Sequence, residues 1–417
     1  FLVPLFSKSG SSLRVDTDKR TVKKITRMGP FRKSILREIR RFGHSKVLVT
    51  AVIVLPAVMS VLYSLLFAKG VIEDLPVAVY DGDKTELSRQ LIRMVDATPS
   101  AAVTLHVESI EQGRQAMVQG LVNAVLVIPK GLQADIYAGH GGAQVTAEIS
   151  GAQILNSGML KRDITTVLQA FNIGIETQLL GARGIPQRQG YAMAYPIPFE
   201  KHVLFNPYGS YAYYLLPGVM FLALIVTVAI VTVYVVGIEL KEGTAPEWIE
   251  TAGGSVTRAL AAKLAPYLLM FCLISLLMNT LLYRFLGMPF HGHAAVLLVL
   301  GNLFVILAYM AISVMLVALT ANTRFSMSIA GGFATASLSF CGLTFPALGM
   351  YPAIVALSKL FPYTFFIDLF IEQSLRGAPP ARSLGDLAAM GVFVTAMALL
   401  MPRLKHIAVN PKYYGKD

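Results

Sequence analysis

The sequence predicts an α-helical membrane protein of about six transmembrane helices, with an α/β extracytoplasmic domain inserted between the first and the second. Three observations carry this expectation. Hydrophobic residues make up 55% of the 417-residue chain and charged residues only 14%, with a mean hydropathy of +0.60; a soluble globular chain carries about 25% charged residues. Several apolar runs reach the ~20 residues needed to cross a hydrocarbon layer of ~30 Å. Between the first two runs, residues 70–205 instead alternate short strand and helix patterns.

The elements follow in chain order. Residues 1–28 are basic and polar and read as a disordered arm; the short apolar start Phe1–Phe6 does not read as a signal peptide. Residues 29–46 open on Gly29-Pro30, and proline is well placed at a helix start. Phe31, Ile35, Leu36, Ile39 and Phe42 fall on one helical face. Arg32, Lys33, Arg37, Arg40 and Arg41 cover the rest. This is the pattern of an interfacial helix with its apolar side in the lipid boundary and its basic side toward headgroups. The spans are expected at 47–67, 213–236, 264–286, 294–320, 326–345 and 384–401. Residues 349–376 are apolar but broken by Pro352 and Pro362, and carry Lys359, Asp368 and Glu372. Such charges are costly against lipid, so the segment reads as short outer-face or re-entrant helices; the alternative is one more full span. The basic residues preceding the first span place the N-terminus in the cytoplasm. Alternation then puts the tail 402–417, with Arg403, Lys405, Lys412 and Lys416, on the same side.

Inside 70–205, Pro76–Tyr80, Ala102–Val107, Ala124–Ile128 and Gln144–Ile149 read as strands. Thr85–Val95 and the segment after the Ser109/Gln112 capping box read as helices, and 156–180 as a long one. Asp81 and Asp83 fit turn chemistry better than catalysis. His106, His140 and His202 have no ligand spacing, and the pair His291/His293 is too little for a metal site. No catalytic constellation is read, and no metal or cofactor is expected in this chain. The two cysteines, Cys272 and Cys341, lie in apolar runs, so no disulfide framework is expected.

The net charge of +12 gathers before the first span. The positive-inside rule accounts for it, and no nucleic-acid motif accompanies it, so nucleic acid is not expected as a partner. The central parts of the spans lack Asp, Glu, Lys and Arg, which argues against an ion-coupled carrier. The phosphate-binding pattern G-x-x-x-x-G-K-[ST] is missing, so any ATP hydrolysis belongs to another subunit. Between the second and third spans, residues 237–263 hold Glu239, Glu242, Glu247 and Glu250 around Trp248, the single tryptophan. This reads as an exposed acidic rod able to take a push from a partner through an aromatic anchor, or else with Trp248 as an interfacial belt residue.

In several places the chain resembles the membrane subunit of type-2 ABC exporters, in the branch with a large domain after the first span. Leu75-Pro-Val-Ala-Val-Tyr-Asp-Gly-Asp83 is similar to the opening strand and turn of that domain. Phe205-Asn206-Pro207 with Leu216-Pro217-Gly218 resembles the approach to the second span, and Lys241-Glu242-Gly243-Thr244 the Glu-x-Gly-Thr signature. Lys263-Leu-Ala-Pro266-Tyr267 and Cys341-Gly342-Leu343-Thr344-Phe345-Pro346 are similar to the start of the third span and the outer end of the fifth. The chain departs from the family pattern at Ala245-Pro246 and Thr251-Ala252-Gly253. The resemblance implies a permease of an ATP-driven exporter in a bacterial inner membrane, moving drug-like amphiphiles or a lipid, glycolipid or natural product. It implies cytoplasmic ABC ATPase partners carrying ATP and Mg, and a second permease chain. A periplasmic adaptor and membrane lipid are further partners to consider. On this reading Glu239, Glu242, Gly243, Thr244, Glu247, Trp248, Arg37, Arg40 and Arg41 couple to the ATPase. Tyr208, Tyr211, Tyr213, Tyr214, Phe221, Phe333 and Phe340 are candidates for the cargo path. A membrane-anchored receptor or scaffold is the alternative of another class.

Overall fold

The computed structural model describes residues 29–138 and 144–415. The expected basic arm 1–28, His140 and Lys416 lie outside the described residues. The chain divides into two compact units, one from residues up to Gly70 together with those from Leu204 onward, the other from Val71–Val203.

The first unit is helical. Helix α1, Pro30–His44, starts where its proline sacrifices no hydrogen bond. It stops at Ser45, whose side chain accepts from the Leu48 N–H and caps the next helix. That helix, α2, runs Lys46–Leu66. Its ladder widens to a π turn over Thr50–Val54, directly before Pro56, which has no N–H to offer. Helix α8, Tyr211–Lys241, is 31 residues and about 46 Å long. It is the most enclosed helix of the unit, packed against α2 and against α10 (Val256–Phe285), α11 (Gly292–Thr320) and α12 (Thr323–Phe340). The helices approach closely where a side chain is missing. A Cβ on Gly237 would stand 2.6 Å from Thr323 Oγ1, so only glycine fits that crossing. Helix α11 ends at Ala321 in the left-handed region, and Asn322 caps α12 through the Phe325 N–H at 2.8 Å. Helix α13, Pro352–Ser358, meets α14, Pro362–Leu375, at 90°, and α15 covers Pro380–Val409 with little of its surface buried. The seven-residue helix α9, Ala245–Thr251, joins α8 to α10.

Among the described residues, α2, α8, α10, α11 and α15 are long and apolar enough to cross a membrane, and the bent pair α13–α14 makes a sixth if it is one span. The count matches the expectation of about six, but its membership differs. The expected span 326–345 becomes α12, which stops at Phe340 and falls short of the apolarity of the other five. Arg324 in its first turn is the largest cause, with Ser326, Ser328, Gly331, Gly332, Thr335, Ser337 and Ser339 adding to it. Residues 237–263 are not a continuous exposed rod: α8 runs on through Lys241 and α10 already begins at Val256.

The second unit, Val71–Val203, contains a four-stranded sheet in the order β2-β1-β3-β4. Strands β1 (Leu75–Asp81), β2 (Ala101–His106) and β3 (Ala124–Ile128) are parallel, and β4 (Thr146–Ile149) pairs antiparallel to β3. The parallel pairs need crossovers, supplied by α3 (Glu86–Asp96) and α4 (Ile110–Val118). Strand alternation divides the core. Val77 and Val79 face Leu87, Leu91, Ile164 and Phe171 on one side, while Ala78 and Val125 meet Ala116 and Val122 on the other. Helix α5 (Leu132–Ala138) follows β3, and the 29-residue α6 (Ile154–Ala182) packs against α7 (Gln187–Ala194).

Candidate functional site

Of the four acids expected in an exposed segment, Glu239 and Glu242 behave differently. Glu239 lies in the last turn of α8 and is 0% exposed; Glu242 follows it at the surface. Burying a carboxylate is expensive unless it is paired, and Glu239 is saturated with donors. Arg37 Nη2 reaches Glu239 Oε2 at 3.1 Å, Arg41 Nη1 reaches Oε1 at 2.9 Å, and Lys263 Nζ reaches the same oxygen at 2.8 Å. The Thr244 hydroxyl donates to Oε2 at 2.5 Å. Lys263 in turn holds Glu38 Oε2 at 2.8 Å, and the Tyr267 hydroxyl donates to the other Glu38 oxygen at 2.9 Å. Arg41 Nη2 extends the chain to Glu242 at 3.0 Å. Three cations, Arg37, Arg41 and Lys263, thus face three anions, Glu38, Glu239 and Glu242. Burial works against the Arg41 charge, but Glu239, Glu38 and Glu242 outweigh it and hold its pKa above the ordinary guanidinium value.

This junction ties α1, α8 and α10 together at one end of the bundle. It also holds α9, because Lys263 Nζ lies 5.5 Å from the Trp248 ring centre and Trp248 Nε1–H donates to the Ala259 carbonyl at 3.2 Å. Helices α1 and α9 are therefore tied by direct contacts to the ends of two spans.

The structure corrects the expected roles of several residues. The stripe that α1 buries is polar, with Ser34 and Glu38 innermost, and Arg37 and Arg41 turn inward to Glu239 rather than to headgroups. Arg40, Phe31 and Ile39 stay exposed. Trp248 is 2% exposed, so it is neither a surface anchor nor a belt residue; it packs beneath Lys263. Glu247 and Glu250 do lie on the outer side of α9. Gly243 takes a positive φ of 66°, completing the turn that brings Thr244 back to Glu239. Glu38 escaped the sequence reading, and Lys263 and Tyr267 entered it only within the stretch similar to the start of the third span, without this role. Their signals were faint: Glu38 is the single acid within Arg32–Arg41, and Lys263 a lone cation on the edge of an apolar run.

The aromatic candidates separate. Tyr208 and Tyr214 are exposed while Tyr211 and Tyr213 are half-buried. The Tyr213 hydroxyl donates to the Gly287 carbonyl at 2.9 Å and the Tyr214 hydroxyl to that of Leu343. Phe221 is 1% exposed against Phe366 and Phe370, out of reach of any passing molecule. Phe333 and Phe340 sandwich Phe361, at centroid distances of 4.6 and 5.1 Å, and so pin the bend between α13 and α14. Beyond Arg324 and Phe325 of its first turn, α12 presents Ser328, Gly332, Thr335 and Ser339 outward.

The remaining polar candidates are structural. Asp81 accepts from the Asp83 and Lys84 N–H groups, and Asp83 from those of Gly131 and Gln133 at the start of α5. His291 approaches the Ser374 carbonyl, and His202 pairs with Glu200. No group of three or more His, Cys, Asp or Glu suited to a metal ion occurs among the described residues.

Comparison with known proteins agrees with this architecture. Two curated relatives, each described as a probable multidrug ABC transporter permease YbhS, come from Escherichia coli K12 and Escherichia coli O157:H7. Each is 26% identical over 187 residues, covering 44% of this chain and 48% of the relative. The match thus spans about half the length of these relatives. The family profile described as ABC-2 family transporter protein matches residues 46–400, nearly the whole of the helical unit and all of the sheet unit. This multi-pass membrane chain therefore belongs to the ABC-2 family of transporter proteins.

Proposed function

We propose that the chain is the permease subunit of an ATP-driven exporter that moves amphiphilic or lipophilic cargo out of the cytoplasm or the inner leaflet. The buried ion junction carries this reading. A neutral set of paired charges at the ends of two spans, joined to a short helix with two exposed acids, suits a device that receives a push. A receptor or scaffold that merely holds a domain has no use for it. Family membership supports an ABC ATPase partner carrying ATP and Mg, and the relatives' description supports drug-like efflux. The basic residues around α1 support a cytoplasmic N-terminus. With α2 leading outward, Val71–Val203 is then an extracytoplasmic domain, in a bacterial inner membrane, within reach of a periplasmic adaptor. The exposed face of α12 with its small residues Ser328, Gly332, Thr335 and Ser339 supports a second permease chain, because small residues let two helices approach closely.

The test is affinity purification of the chain in mild detergent from cells co-expressing its ATPase, with mass spectrometry and an ATPase assay on the eluate. Glu247→Lys with Glu250→Lys reverses charge at the exposed side of α9 without touching the buried junction. The expected outcome is a loss of co-purified ATPase of about tenfold or more, equivalent to ~1.4 kcal/mol of binding, at an unchanged Tm. A chain that purifies alone, without ATPase activity, overturns the reading.

A further inference from the structure

The turn leading into α8 is built at a cost and presents apolar side chains to the outside. Asn206 fixes it: its Nδ2–H donates to the Ser210 carbonyl at 3.0 Å, and its Oδ1 accepts from the Ser210 N–H at 2.8 Å. Its backbone N–H donates to Leu204 O at 2.9 Å, and Gly209 N–H closes back on Asn206 O at 3.1 Å. The base is tied down by the Tyr211 N–H, which donates to Gly70 O at 2.6 Å just beyond the end of α2. Within this frame Phe205 adopts φ 70°, a left-handed backbone that is rare and strained for an aromatic residue. Glycine would make the same turn without strain. The strained position holds a phenylalanine that packs poorly: Leu204, Phe205 and Tyr208 are 69%, 51% and 72% exposed.

Backbone strain together with exposed apolar surface is doubly unfavourable in water. It becomes reasonable if the tip sits in another medium. We infer that Leu204, Phe205 and Tyr208 form a lipid-inserting wedge that docks in the headgroup region of the bilayer beside the start of α8. The position along the chain supports this occupant. The turn ends at Ser210, and the span begins at Tyr211, so the tip is tethered at the membrane boundary, where amphipathic aromatics are favoured. Leu204–Gly209 carries no charge, so no ion is desolvated on entry. A second copy of the chain is a poorer occupant. Three side chains of this size offer roughly 500 Å², whereas a stable interface takes about 800 Å² from each partner.

The experiment uses the full chain reconstituted in phosphatidylcholine vesicles. Phe205→Trp is made in the otherwise unchanged sequence, and the emission of the parent, whose single tryptophan is the buried Trp248, is subtracted. Vesicles carry bromine either high on the acyl chain or at its end. A wedge seated about 5–10 Å into the headgroup and acyl boundary gives blue-shifted emission, quenched about twofold by the high bromine and little by the terminal one. Water-like emission without quenching overturns the proposal. So does blue-shifted emission that neither lipid quenches, which marks cover by protein, and so does stronger quenching by the terminal bromine. Tyr208→Trp reports the same docking if Phe205→Trp fails to fold. Asn206→Ala, added to either, frees the turn and is expected to abolish the preference for the high bromine; an unchanged profile would show that the built turn does not aim the tip.

Discussion

Lys263 shows how one side chain sets a local architecture. Its ammonium is fully buried between Glu38 and Glu239 and faces the Trp248 ring. A lysine in such a place is tolerated only because both carboxylates are there, and each carboxylate only because the lysine and the two arginines are. Lys263→Met keeps the volume and removes the charge, leaving two buried carboxylates with fewer donors. We expect a destabilisation of about 3–5 kcal/mol, read as a lower Tm of the detergent-solubilised protein. Adding Glu239→Gln to Lys263→Met is expected to cost less than the sum of the single changes, because the two side chains form one network. Strict additivity in that cycle would mean that the junction is not a unit. This site was only half legible in the sequence. The acids of 237–250 stand out as a cluster, but their partners do not. Arg37 and Glu239 are 202 residues apart, and nothing local to Arg32–Arg41 reveals which face of so basic a helix turns inward.

Helices and strands were more legible, because their signals are local. Apolar runs announce α2, α8, α10, α11 and α15, and the apolar run Pro76–Tyr80 announces a strand, which the structure covers on both faces. Element ends were less legible where a distant charge decides them: α8 continues to Lys241 because its final turn finds Arg37, Arg41 and Lys263. The link from β1 to α5 makes a testable case of such an end. Asp83, just beyond β1, accepts from the Gly131 N–H at 2.8 Å, the Gln133 N–H at 3.1 Å and the Thr85 hydroxyl at 2.6 Å. Burial alone raises its pKa, but Thr85 and the backbone donors of Gln133 and Gly131 outweigh that and hold it below the ordinary carboxylate value. A folded-state pKa below the unfolded one stabilises at high pH and not at low. The contribution is complete above the unfolded value of about 3.9 and is lost as pH falls through the folded one. Asp83→Asn should therefore cost about 1–2 kcal/mol at neutral pH, as loss of a helix cap does, and less under acid. Hydrogen exchange of the 131–138 amides in the full chain checks both: faster exchange in the variant at pH 7, and a smaller difference near pH 3. A difference that persists undiminished in acid would assign the effect to shape rather than charge.

At the scale of the whole molecule, the outer faces of the helices separate into two kinds. Leu269, Leu273, Leu276 and Leu277 on α10, and Val54, Val58, Val61, Leu62 and Leu65 on α2, present large apolar side chains, as lipid requires. Past Arg324 and Phe325 in its first turn, helix α12 presents Ser328, Gly332, Thr335 and Ser339 instead. Small and hydroxylated residues let two backbones approach closely and gain hydrogen bonds across helices, and they gain little against hydrocarbon. This chemistry, together with Arg324 in the first turn and a length of only 18 residues, is why α12 reads weakly as a span, and its small-residue face is what a face shared with a second chain needs. The consequence can be measured directly in membranes. In a background with Cys272→Ser and Cys341→Ala, Thr335→Cys is expected to form a disulfide-linked pair under mild oxidation, since linkage requires Cα atoms within about 7 Å. Leu273→Cys, on the lipid-type face of α10, is expected to remain monomeric under the same conditions. If Thr335→Cys stays monomeric yet reacts readily with a small aqueous thiol reagent, the hydroxyl face meets water and not a second chain, and pairing through α12 is wrong. If it is both monomeric and unreactive, the face lies against lipid despite its polarity, and the argument from side-chain chemistry fails for this helix.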